Sequence, residues 1–82
     1  MHYKIKDDVD WSVLEEYGYE RVGISKNYVK DISDEIIICV SFDREILWYI
    51  FPYRMCYLEE PHKQYIKDLI DAGLVEEVNN EL

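Results

Sequence analysis

Apolar positions along this chain gather in short strand-like runs through its middle and fall at helical spacing on either side. Tyr3-Lys4-Ile5-Lys6 alternates, which predicts a short edge strand whose lysines discourage pairing with another chain. Trp11, Leu14 and Tyr17 recur three apart and predict a two-turn helix. Asp10 is its expected N-cap, Val9 and Leu14 a hydrophobic staple, and Gly18 its left-handed stop. Residues 19–52 read as strands. Segments 19–24 and 28–32 flank a turn at Ser25-Lys26-Asn27, and Ser33-Asp34 punctuates again. Segment 35–42 carries the β-branched run Ile36-Ile37-Ile38-Cys39-Val40; Asp43-Arg44-Glu45 is a hairpin loop, and 46–51 returns. Residues 53–60 read as a connection. Pro61 then opens a second helix with Glu59 and Glu60 at its positive end, an apolar stripe of Tyr65, Ile66, Leu69 and Ile70, and a stop at Gly73. Residues 74–78 form a last short strand, and 79–82 are expected to fray.

The order β-α-β-β-β-β-α-β predicts one α+β domain over residues 1–82. Its architecture is a small antiparallel sheet of about four strands, plus short terminal strands, packed with two helices. The terminal segments around Ile5 and Val75 are expected to pair with each other. The central strands are apolar at both parities, so either both sheet faces are covered or one is left for a partner. Trp48 and Ile50 point one way, Tyr49 and Phe51 the other.

Charge changes the picture next. Eighteen Asp and Glu stand against nine Lys and Arg, a formal net charge of −9. Such a chain lacks the basic stripe that direct nucleic-acid binding needs and is repelled by anionic membranes. It gains solubility and is steered toward basic surfaces on other proteins. An apolar content of 49% with 15% aromatics is that of a folded chain and not of a disordered acidic segment. The N-terminus turns acidic at once, so no signal peptide is expected, and no apolar run reaches membrane-spanning length. Two cysteines, Cys39 and Cys56, make no disulfide framework, and a cytoplasmic location is expected.

Candidate chemistry is sparse. His2, His62, Cys39 and Cys56 have no zinc-type spacing, so neither a metal nor any other cofactor is expected. His2 is expected at a mobile terminus and His62 in an exposed first helical turn. Cys56 and His62 stand six apart, but no strained or glycine-rich motif activates the thiol. The acid pairs Glu15-Glu16, Glu59-Glu60 and Glu76-Glu77 diverge on a helix or strand and make no shared acid–base site. No enzyme is expected. The aromatic series Trp48, Tyr49, Phe51, Tyr53 and Tyr57 is a different signal, since Tyr and Trp anchor protein interfaces, and Arg44 and Arg54 flank it as rim contacts.

Three phrases carry a resemblance. They are Tyr3-Lys4-Ile5-Lys6-Asp7-Asp8-Val9-Asp10, Leu14-Glu15-Glu16-Tyr17-Gly18-Tyr19, and the ending from Tyr65 through Asp68-Leu69-Ile70-Asp71-Ala72-Gly73-Leu74-Val75 to Glu76. They resemble small phage and prophage proteins of Gram-positive bacteria. The resemblance implies a mobile-element context, in which small acidic proteins include anti-CRISPR and other anti-defence inhibitors.

The expected function is a non-enzymatic, acidic interaction protein that binds a host protein with a basic surface. A CRISPR effector or similar defence nuclease fits, its nucleic-acid site occupied by carboxylates imitating phosphates. The expected partner-binding residues are Glu15, Glu16, Glu20, Trp48, Tyr49, Tyr53, Tyr57, Glu59, Glu60, Glu76 and Glu77. The alternative is a homo-oligomeric structural or regulatory domain that uses the strand around Trp48 or an open sheet edge.

Overall fold

A computed structural model gives the fold of residues 2–22, 27–50 and 54–78, the side chains of Ile50 and Arg54 excepted. Among the described residues, the strands are β1 (His2–Ile5), β2 (Glu20–Val22), β3 (Asn27–Asp31), β4 (Ile36–Val40), β5 (Ile46–Ile50), β6 (Arg54–Tyr57) and β7 (Val75–Val78). Helix α1 (Ser12–Glu15) and helix α2 (Lys67–Asp71) are short, and a 3-10 segment, Glu60–Ile66, leads into α2. The turn expected at Ser25 and Lys26, Phe51, Tyr53 and the expected fraying of 79–82 lie outside the described residues.

Strands β2 to β6 form an antiparallel meander in sequence order. The main sheet thus has five strands, not about four. The extra strand, β6, lies where a connection was expected. Arg54-Met55-Cys56-Tyr57 has no β-branched residue to announce it, and it is a strand because β5 offers a paired edge, Leu47 opposite Tyr57 and Tyr49 opposite Met55. The terminal segments do pair, His2 opposite Val78 and Ile5 opposite Val75. Strand β1 is not the free edge its lysines suggested. Its other side bridges Glu59 through His2 and Glu45 through Lys4.

The helices are shorter than their apolar spacing implied. Asp10 Oδ1 accepts bonds from the backbone N–H and hydroxyl of Ser12, at 2.9 and 2.8 Å, so Asp10 does satisfy an orphan donor at the start of α1. Gly18 stops that turn at φ +91°, and a Cβ there would lie 3.4 Å from Lys30 Cε. The second helix begins as a 3-10 segment with Pro61 in its first turn and a non-helical break at His62, and becomes α-helical only after Ile66.

Register decides which side of the sheet is core. Tyr28, Val40 and Ile46 stand in one cross-strand row, and Ile38 and Trp48 in another on the same face. Tyr28, Ile38, Val40 and Ile46 are buried with Leu14 of α1, Leu69 of α2, Ile66, Leu58, and Tyr3 and Ile5 of β1. The main-sheet residues among these all have even numbers. Helices and β1 therefore cover the even-numbered face.

Arg44 locks this packing. It sits in the β4–β5 turn at φ +72°, a strained conformation for a residue with a Cβ. Its carbonyl accepts from Ile5 N–H at 2.8 Å. Its Nη1 donates to the carbonyls of Lys6 and Val9, both at 2.8 Å, and its guanidinium lies 4.8 Å from the Trp11 ring centroid. Trp11 in turn stacks on Tyr28 at 5.3 Å. Arg44, expected at the rim of an aromatic patch, is thus turned inward, because the strand-to-strand turn aims it at two carbonyls of the N-terminal segment. Replacing Arg44 with Ala removes two charge-assisted hydrogen bonds and the ring contact, and should cost about 2–4 kcal/mol in urea unfolding. Arg44→Lys should recover only part of this, since an ammonium lacks the planar fork that lies over Trp11 while reaching both carbonyls.

Candidate interaction surface

The odd-numbered positions of the sheet face away from the helices. Val29, Cys39, Leu47 and Tyr57 form one complete row across β3 to β6. Ile37, Tyr49 and Met55 form the next, with Asp31 at its β3 end. Among the described residues six of these seven apolar side chains lie outside the core, and the seventh, Cys39, is buried. Met55 is 49% and Tyr57 47% exposed, while Ile38, Val40 and Ile46 on the other face are at 0%. Cys39 is buried at 4%, and Val29, Ile37, Leu47 and Tyr49 are half-buried, so this second apolar face is packed less completely than the first and its exposure is concentrated on β6.

The edges of this second face are structured. Tyr57 stacks on His2, with ring centroids 4.3 Å apart. His2 is buried and its Nε2 meets Glu45 Oε2 at 2.5 Å. The expectation of a mobile His2 is overturned, because β1 is bound on both sides and the ring fills a slot between Tyr57 and Glu45. Sequence reasoning had no signal for this contact, which joins residues 43 apart. At the opposite edge, Glu20 stands opposite Val29 beside Asp31. Glu20 and Asp31, with Gly18, Val29 and Lys30, line a shallow depression.

The expected aromatic contacts separate. Tyr49 and Tyr57 lie on the second face, Tyr53 is outside the described residues, and Trp48 lies on the helix-covered face. There the Trp48 ring is half-buried, 4.2 Å from His62 and 5.9 Å from Tyr65 between centroids. His62 is consequently half-buried rather than exposed. Sequence reasoning did not single out Val29, Ile37, Leu47 and Met55; apolar residues at both parities of β4 and β5 were the available signal.

The expected acidic contacts are exposed but dispersed. Glu15 ends α1 and Glu16 follows it; Glu20 is on β2; Glu59 and Glu60 begin the 3-10 segment; Glu76 and Glu77 are on β7. Glu60 and Glu77 come together around Tyr3 and Lys63. Tyr3 donates to Glu60 Oε2 at 2.9 Å, and Lys63 Nζ lies 2.9 Å from Glu60 Oε1. Lys63, then Tyr3, hold the Glu60 carboxyl below the usual carboxylate range. Burial, then Glu60 and Glu77, push the Tyr3 hydroxyl up to about 12.

Among the described residues no three His, Cys, Asp or Glu side chains gather to hold a metal ion, and no helix is long and apolar enough to cross a membrane. Burial pushes the Cys39 thiol up, whereas Cys56 is exposed. A thiol-alkylating reagent should therefore modify Cys56 in the native protein and spare Cys39 until denaturant is added, as counted by mass spectrometry. The Tyr3 hydroxyl contributes stability that is fully present below pH 10.0, its ordinary value, and lost as pH rises through about 12. Resistance to urea should therefore decline as pH rises from 10.0 to about 12, and Tyr3→Phe should flatten that decline. Comparison with protein-family models, curated proteins and solved structures returns no match to this chain.

Proposed function

We propose that this chain is a non-enzymatic interaction protein that binds another protein bearing basic groups. The observation that carries this reading is the second sheet face, where Met55 and Tyr57 are half-exposed and continue into the partly covered Leu47, Tyr49 and Ile37. Met55 and Tyr57 are half-exposed, so a partner that covers them gains about 1.5–3 kcal/mol from these two side chains before any polar contact. Sheet faces this apolar on a small monomer mark interaction sites. The net charge of −9 adds the sign of the partner, since it accelerates encounter with a basic surface and opposes an acidic one. Support comes from an apolar patch with carboxylates at one edge rather than from a phosphate-like row, which fits a basic protein surface of any origin.

The test is affinity capture from cells with wild type and Leu47→Asp in parallel, at rising salt. Circular dichroism checks that the variant folds, because Leu47 lies outside the core. The captured protein should be lost with the variant and weaken as salt rises. Equal capture by both proteins sinks the reading. Sedimentation of the wild type alone should show a monomer, and a Leu47-dependent dimer would favour homo-oligomerisation instead.

A further inference from the structure

We infer that the odd-numbered sheet face docks a basic amphipathic helix of the partner protein. This rests on the reading proposed above and specifies its occupant. Three observations lead to it: the width of the apolar rows, the segregation of charge between the two faces, and the way the same sheet is already covered on its other side.

Width comes first. The row from Val29 to Tyr57 crosses four adjacent strands. Three inter-strand spacings span about 14 Å. An α-helix with its side chains is about 10–12 Å across. One helix therefore covers the rows and leaves the strand edges free. The even face of this sheet is covered in the same way, by Leu14, Ile66 and Leu69 from helical segments.

Charge sets the character of that helix. By register, Arg21 stands opposite Tyr28, and Lys30 lies in the row of Ile38, so both cations belong to the helix-covered face. Lys30 Nζ is held there by Asp68 of α2 at 3.1 Å. On the odd-numbered face, β2 and β3 carry Glu20, opposite Val29, and Asp31 instead, both exposed. Among the described side chains of this sheet, the odd-numbered face thus has carboxylates and no cation. A helix with an apolar stripe at i, i+3, i+4 and i+7 and with Lys or Arg beside it matches apolar rows to apolar stripe and carboxylates to cations. A second copy of this chain matches poorly, because it would bring one charge of −9 against another. An extended peptide would seek a strand edge rather than a face.

The probe is a displayed library of 18-residue helical peptides, apolar at one stripe and randomised beside it, selected on the immobilised full chain. Enriched peptides should carry Lys or Arg at the flanking positions. As synthetic peptides they should bind at least tenfold more weakly to Leu47→Asp and severalfold more weakly to Asp31→Lys. Met55→Asp, at a half-exposed position, serves if Leu47→Asp does not fold. Enrichment of acidic or uncharged flanks, undiminished binding to these variants, or no enrichment overturns the inference. Acidic-flanked helices that bind through Leu47, or a Leu47-dependent dimer, would overturn the basic helix and leave the face as an interaction site. Capture from cells that ignores Leu47 removes the underlying reading itself.

Discussion

The fold depends on one side chain's reach. The β4–β5 hairpin and the N-terminal segment are far apart in sequence, and β1 touches the main sheet through isolated bridges rather than a full ladder. Arg44 supplies what that ladder lacks. Its backbone pairs with Ile5, and its guanidinium donates to the Val9 carbonyl and to the Lys6 carbonyl, which also accepts from Val9 N–H. The contact with Trp11, and through it with Tyr28, ties the turn to the first helix and the sheet. A non-glycine residue at φ +72° is an uncommon choice for a hairpin. It persists because a glycine would have no side chain to make these contacts.

Once the N-terminal segment and both helices are held on the even face, the described residues cover the odd one only in part: Cys39 is buried and Tyr57 stacks on His2, while Met55 and Tyr57 stay half-exposed. This follows from size as much as from topology. A chain of 82 residues buries a limited fraction of its surface, and its two short helical regions fill a single layer. A strand run such as Ile36-Ile37-Ile38-Cys39-Val40 is suited to burial on both sides, yet this molecule supplies full cover for one. The second layer has to come from elsewhere, and the carboxylates at the edge bias what can supply it.

Much of the fold was legible in the sequence because its signals were local. Gly18 and Gly73 ended their helices at positive φ, and Asp43-Arg44-Glu45 formed a tight connection; the expected pairing of the terminal strands, which no local signal encodes, is also present. Where signals were not local, the reading failed. Strand β6 owes its conformation to β5 and has no β-branched residue of its own. His2 and Arg44 looked like a loose end and a surface cation because their partners lie about forty residues away. The interaction face was legible only in outline. Apolar residues at both parities showed that a second apolar side existed, but cross-strand register was needed to place Trp48 on the packed face and Tyr49 and Tyr57 on the other.

The pairing of β1 with β7 has a kinetic meaning. Every strand of the main sheet lies beside its sequence neighbour, so each hairpin closes a short loop at low entropic cost. Bringing Ile5 to Val75 instead closes a loop of about 70 residues, and its reward comes only when the rest is in place. The meander therefore has the advantage in forming first, and the terminal ladder closes late. During that interval the sheet lacks its N-terminal cover, and both of its faces are sticky. A chain that must pass through such a state needs something to keep its copies apart, and mutual repulsion between molecules of charge −9 does so before any partner arrives.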